Sequence, residues 1–121
     1  MPKRDLEVVR QLLFRAELVP LETEEGVDGY VSLSKEVSDD EAYHLLLMKD
    51  AGLIEGAHVN HGVFRITNSG HDYLDAIRDE SIWNKAKDGA AKVGGMTLGM
   101  IKDLAIAYLK QEAAEKLGIQ I

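Results

Sequence analysis

Cysteine is absent from the chain, which excludes disulfides, thiolate metal sites and cysteine nucleophiles and is compatible with a reducing compartment. Long apolar runs are missing too, since none approaches the roughly 18 residues that a membrane span requires. The basic start Lys3-Arg4 leads into charged Asp5 and Glu7 rather than into the apolar core of a signal peptide. The expectation is a cytoplasmic protein, mature as written, with no membrane partner. Internal repeats and low-complexity runs are also lacking. What is present is 121 residues at 45% apolar content, enough to build a single buried core.

The net charge of −7 is concentrated in one place. Residues 21–41 hold Glu22, Glu24, Glu25, Asp28, Glu36, Asp39, Asp40 and Glu41 against Lys35 alone, while every other stretch is close to neutral. A local field of this kind decides which partners approach that part of the surface.

Helical spacing of Leu6, Val9, Leu13 and Ala16 predicts a first helix over about Asp5–Leu18, with Asp5 and Glu7 favouring its N-terminus through the macrodipole. Pro20 and Glu24-Glu25-Gly26 end it, and residues 19–37 read as a loop in which Gly29–Leu33 alternates as a brief strand would. Ser38 and Glu41 form the signature of a capping box for a second helix, with Ala42, Leu45 and Leu46 facing inward. Gly52 terminates that helix and Leu53 folds back on it. Leu53–Val59 and Val63–Ile66, flanking Asn60-His61-Gly62, predict a short antiparallel hairpin. Thr67 caps a third helix that extends to about Lys92. Beyond Gly94-Gly95, Thr97 caps a fourth, whose residues Leu98, Ile101, Leu104, Ala105, Ile106, Tyr108 and Leu109 wrap more than one stripe.

The predicted class is therefore mainly α with a small β-hairpin, α+β. The order of elements is that of a winged helix-turn-helix with a C-terminal helical extension. Residues 1–92 would form the winged-helix domain, and 93–121 a helix that packs on it or forms a dimer interface. The strings Lys3-Arg4-Asp5-Leu6, Ala42-Tyr43-His44-Leu45, Ala51-Gly52-Leu53-Ile54, Thr67 through Asp75 and Ile82-Trp83-Asn84-Lys85 resemble a bacterial and phage family, domain of unknown function 2513. The resemblance runs from Lys3 to about Leu109, and it implies a winged-helix-like fold and a bacterial or prophage origin rather than an activity.

A winged helix usually suggests DNA read by the N-terminal residues of its recognition helix. Here those residues are Asp39, Asp40 and Glu41, which repel phosphate. The first expectation remains a non-enzymatic, DNA-binding module of transcriptional-regulator type, whose surviving DNA surface consists of Lys3, Arg4, His58, Asn60, His61 and Arg65. The rival is a protein-interaction or dimerisation module. Its candidate contacts are Tyr43, His44 and Leu47, which would either face outward or pack under the 19–37 loop, and Ile101, Tyr108 and Leu109 on the fourth helix, which would either complete the core or pair in a homodimer.

Enzyme readings are weaker. His58-x-x-His61 lacks further ligands for a metal site, and His71-Asp72 are adjacent on a helix and diverge by about 100°. Ser69 lacks a nucleophile elbow, and Gly94-Gly95 lacks the lysine of a phosphate loop. No catalytic residue and no cofactor is expected. Trp83 reads as a core-edge aromatic rather than a stacking platform for bases.

Overall fold

A computed structural model describes residues 3–19, 29–33, 37–94 and 96–118. The acidic residues Glu22, Glu24, Glu25, Asp28 and Glu36 lie outside the described residues, as do Lys35, Pro20 and Gly95. The chain divides into two compact units, residues 1–71 and residues 72–121. Five helices and a three-stranded antiparallel sheet are present among the described residues, an α+β arrangement that is mainly helical.

In the first unit, helix α1 spans Leu6–Leu18 and buries Val9, Leu12, Leu13 and Ala16. Asp5 is its N-cap, its carboxylate accepting from the Glu7 N–H and so satisfying one of the free donors of the first turn. Strand β1, Val31–Ser32, follows. Helix α2 spans Asp39–Asp50 and opens on the predicted capping box, with the Ser38 hydroxyl accepting from the Glu41 N–H at 3.1 Å and the Glu41 carboxylate accepting from the Ser38 N–H at 3.0 Å. It closes as a Schellman motif, in which the Leu53 N–H donates to the Met48 carbonyl and the Gly52 N–H to that of Lys49. Gly52 sits at φ +79°, a conformation that a side chain would strain.

Strands β2, Ile54–Glu55, and β3, Val63–Ile66, are joined through a 3-10 turn at Val59–His61 that packs on α2. Sequence reading treats this region as a two-stranded hairpin running to Val59, but β2 is only two residues long and β1 pairs along the other side of β3. The sheet order is β1-β3-β2, with Val31 opposite Phe64 and Glu55 opposite Arg65.

Helix α3, Asn68–Ile77, is tied to the end of α2 by a single residue. The Thr67 hydroxyl donates to the Gly52 carbonyl at 2.5 Å and accepts from the Gly70 N–H at 2.9 Å, while the Thr67 N–H donates to the Leu53 carbonyl at 3.0 Å. Two of the strings that carry the family resemblance, Ala51–Ile54 and Thr67–Gly70, thus meet at one junction. Gly70 is there because the backbones nearly touch: a Cβ would collide with the Leu53 carbonyl oxygen and come within 2.8 Å of Ile66 Cγ2.

Residues 72–121 carry the rest of α3 and two further helices, α4 over Glu80–Lys92 and α5 over Leu98–Leu117. The expected third helix reaching Lys92 is therefore two helices. Asp79 takes an extended conformation and its carboxylate accepts from the Ser81 and Ile82 N–H groups, so a new N-cap interrupts an apolar spacing that runs on across the break. Trp83 is fully buried rather than at the core edge. Thr97 caps α5 as expected, and α4 approaches α5 closely at Gly89, where a Cβ would lie 2.8 Å from Leu104 Cδ2.

Gly70→Ala should destabilise the protein by about 3 kcal/mol, the range of a severe overpacking change, because the obstructing atom is backbone. Urea denaturation checks this; a loss under about 1 kcal/mol would mean that the junction yields.

Candidate functional site

Helix α2 is held on its inner side by a buried histidine. His44 is 0% exposed, and its Nε2 accepts from the Asp5 N–H at 2.9 Å. An acceptor at Nε2 fixes the tautomer, so Nδ1 carries the proton and donates to the Asp40 carbonyl at 2.8 Å. The ring is therefore neutral and bonded at both nitrogens. His44 is thereby corrected from an outward partner contact to the residue that joins the start of α1 to α2. Leu46, expected inside, is outside at 43% exposure.

A second link between these helices is the Arg15–Glu41 ion pair at 2.5 Å. The Glu41 carboxyl is held below the usual range, first by the Ser38 N–H it accepts from and then by the charge of Arg15, against an opposing contribution from partial burial. Of the three carboxylates in the first turn of α2, one is thus engaged with a cation. Asp39 and Asp40 remain exposed.

On its outer side α2 exposes Asp39, Asp40, Leu46, Lys49 and Asp50, and half-buried Tyr43 falls on one line with Asp39, Leu46 and Asp50 at intervals of four, three and four residues. The line is about 16 Å long, with half-buried Leu47 beside it. It presents an apolar centre between acidic ends.

The residues considered for DNA do not assemble an unopposed basic face. Arg65 is paired with Glu55 across β2 and β3, Nη2 to Oε2 at 2.7 Å and Nε to Oε1 at 3.2 Å, and the Tyr30 hydroxyl also donates to Glu55 at 3.2 Å. Glu55 is accordingly held below its ordinary range by the hydrogen bond from Arg65 first and that from Tyr30 second. His58, Asn60 and His61 are exposed on the turn between β2 and β3, the two imidazoles 5.8 Å apart. Among the described residues no group of three or more His, Asp or Glu side chains could hold a metal ion. Lys3 and Arg4 are exposed just before the Asp5 cap. Of the contacts considered on the last helix, Ile101 is buried at 3% exposure and so is corrected from a surface residue to a core one. Tyr108 is half-buried, with Lys85 Nζ 5.7 Å from its ring centroid, and Leu109 is half-buried too. No helix among the described residues is long and apolar enough to cross a membrane.

Sequence reasoning missed the roles of His44 and Glu55, whose partners are 39 and 10 residues away. Leu46 carried a readable signal, since it lies three residues after Tyr43 and four before Asp50.

The family described as "Hypothetical protein (DUF2513)" matches residues 3–97, and the chain belongs to it. An "Uncharacterized protein" of Haemophilus influenzae (strain ATCC 51907 / DSM 11121 / KW20 / Rd) is similar, at 27% identity over 129 aligned positions covering 93% of this chain and 99% of the relative. No solved structure matches the chain.

Because the Glu41 carboxyl is lowered in the folded state, the stability it contributes is present above its ordinary value of 4.5 and is lost as pH falls through the lowered one. Glu41→Gln should therefore be less stable than the parent at about pH 7, with the gap closing towards about pH 3. Urea midpoints measured across that interval check the sign; a gap that is constant with pH would contradict the assignment.

Proposed function

We propose that this protein is a non-enzymatic, winged-helix-type interaction module whose second helix docks a protein partner rather than duplex DNA. The element order α1, β1, α2, β2, β3, α3 and the sheet order β1-β3-β2 support the winged-helix reading, with the turn between β2 and β3 as the wing. The observation that carries the partner class is the outer line of α2, with Tyr43 and Leu46 between Asp39 and Asp50.

In a DNA-reading winged helix this face supplies cations and hydrogen-bond donors to a groove lined by phosphates, and affinity grows with the number of phosphates neutralised. Here each end of the face adds carboxylate, and the arginine of the neighbouring hairpin is already neutralised by Glu55. An aromatic and a leucine framed by acid suit an amphipathic protein segment with apolar anchors flanked by Lys or Arg. Apolar contact then supplies affinity, and the carboxylates supply steering and register.

Fluorescence anisotropy tests the choice with two labelled probes, a mixed-sequence DNA duplex and a Leu/Lys amphipathic peptide. The duplex should show no saturable binding at physiological salt. The peptide should bind in about the micromolar range and weaken at least about tenfold with Leu46→Asp, an exposed change that leaves the core intact. Saturable duplex binding whose affinity falls steeply with salt would overturn the reading in favour of a DNA-binding regulator.

A further inference from the structure

Helix α5 is 20 residues long, yet its buried residues, Leu98, Ile101 and Ala105, all fall in its first half. From Ile106 onward a different apolar stripe follows, Ile106, Leu109, Ala113 and Leu117, at intervals of three, four and four. Two adjoining open grooves of about 230 and 560 Å3 run along this stripe and meet at Asp75 and Leu109. Leu117, at the end of the helix, is 69% exposed.

The walls of the grooves differ in charge. One wall carries Asp72 and Asp75 of α3, Arg78 bonded to Asp75 at 3.3 Å, and Asp79 at the cap of α4, a net acidic set, whereas α5 contributes Lys110, Glu112 and Lys116 beside its apolar stripe, a net basic one. A surface with net acid along one wall and net base along the other is complementary to its own copy rotated by a two-fold axis.

We propose that a second copy of this chain occupies the groove, the two α5 helices lying antiparallel about an axis between Leu109 and Ala113. That register sets Leu109 against Ala113 of the partner subunit and Ile106 against Leu117 of the partner subunit, a large side chain over a small one at the centre. It also brings Lys116 of the partner subunit to the end of the groove where Asp72 stands. Antiparallel packing further opposes the two helix macrodipoles favourably. The contact is about three turns long. Its apolar stripe supplies the affinity and its rim charges the orientation. This surface is separate from the outer line of α2, and either can fail without the other.

Sedimentation equilibrium on the full chain, over a hundredfold range of concentration, reads the association. The parent should reach twice the monomer mass. Leu117→Glu, at an exposed position, should raise the dimer dissociation constant at least tenfold while circular dichroism stays unchanged. Lys116→Asp and Asp72→Lys should each weaken the dimer, and the double variant should recover most of the loss. A parent that stays monomeric throughout would overturn the proposal. So would a dimer indifferent to Leu117→Glu, or a double charge reversal no better than either single one.

Discussion

The hydrogen bonds at the two nitrogens of His44 are the constraint on which the first unit depends. A fully buried imidazole must satisfy both nitrogens, and this one does so with the N–H of Asp5 on one side and the carbonyl of Asp40 on the other. The first bond fixes where α1 begins against α2. The Arg15–Glu41 pair makes a second attachment ten residues further along α1. Two attachments between two helices fix their relative placement, and with it the side of α2 that is left for other molecules.

That remaining side has a distinct chemistry because of what the inner side consumes. Glu41 closes the capping box and pairs with Arg15, so it serves folding, whereas Asp39 and Asp50 are exposed and frame Tyr43 and Leu46. Across the sheet the same logic removes a cation from the surface, since Arg65 is held by Glu55. A nucleic-acid interface needs several unopposed cations on one face. An apolar centre with acidic ends needs none, and it offers anchors that a protein segment can bury.

Local chemistry was legible in the sequence wherever both partners lie within a few residues. Ser38 with Glu41, Gly52 with Leu53, and Thr97 before Met100 act through the backbone next to them, so their signals survive in one dimension. The mainly helical α+β class followed from these caps and from apolar periodicity. The family resemblance was equally legible, and the Thr67 junction shows why two of its strings must occur together. The helix break at Asp79 was hidden because Tyr73, Leu74, Ile77 and Trp83 keep an apolar spacing on both sides of it, and periodicity does not report a change of axis. His44 was misplaced because a histidine on a polar-looking helix reads as exposed; only the distant N–H of Asp5 explains its burial. The order of the sheet was out of reach for the same reason, since β1 finds β3 more than thirty residues away.

A neutral His44, protonated at Nδ1, locks α1 to α2 and so leaves the line from Asp39 to Asp50 on the outer face. Long-range 15N–1H correlation NMR of the histidine side chains near neutral pH measures this directly. The account predicts one slowly exchanging Nδ1–H imidazole with a bare Nε2, assigned to His44. A ring protonated at Nε2, or one averaging between tautomers, would contradict it.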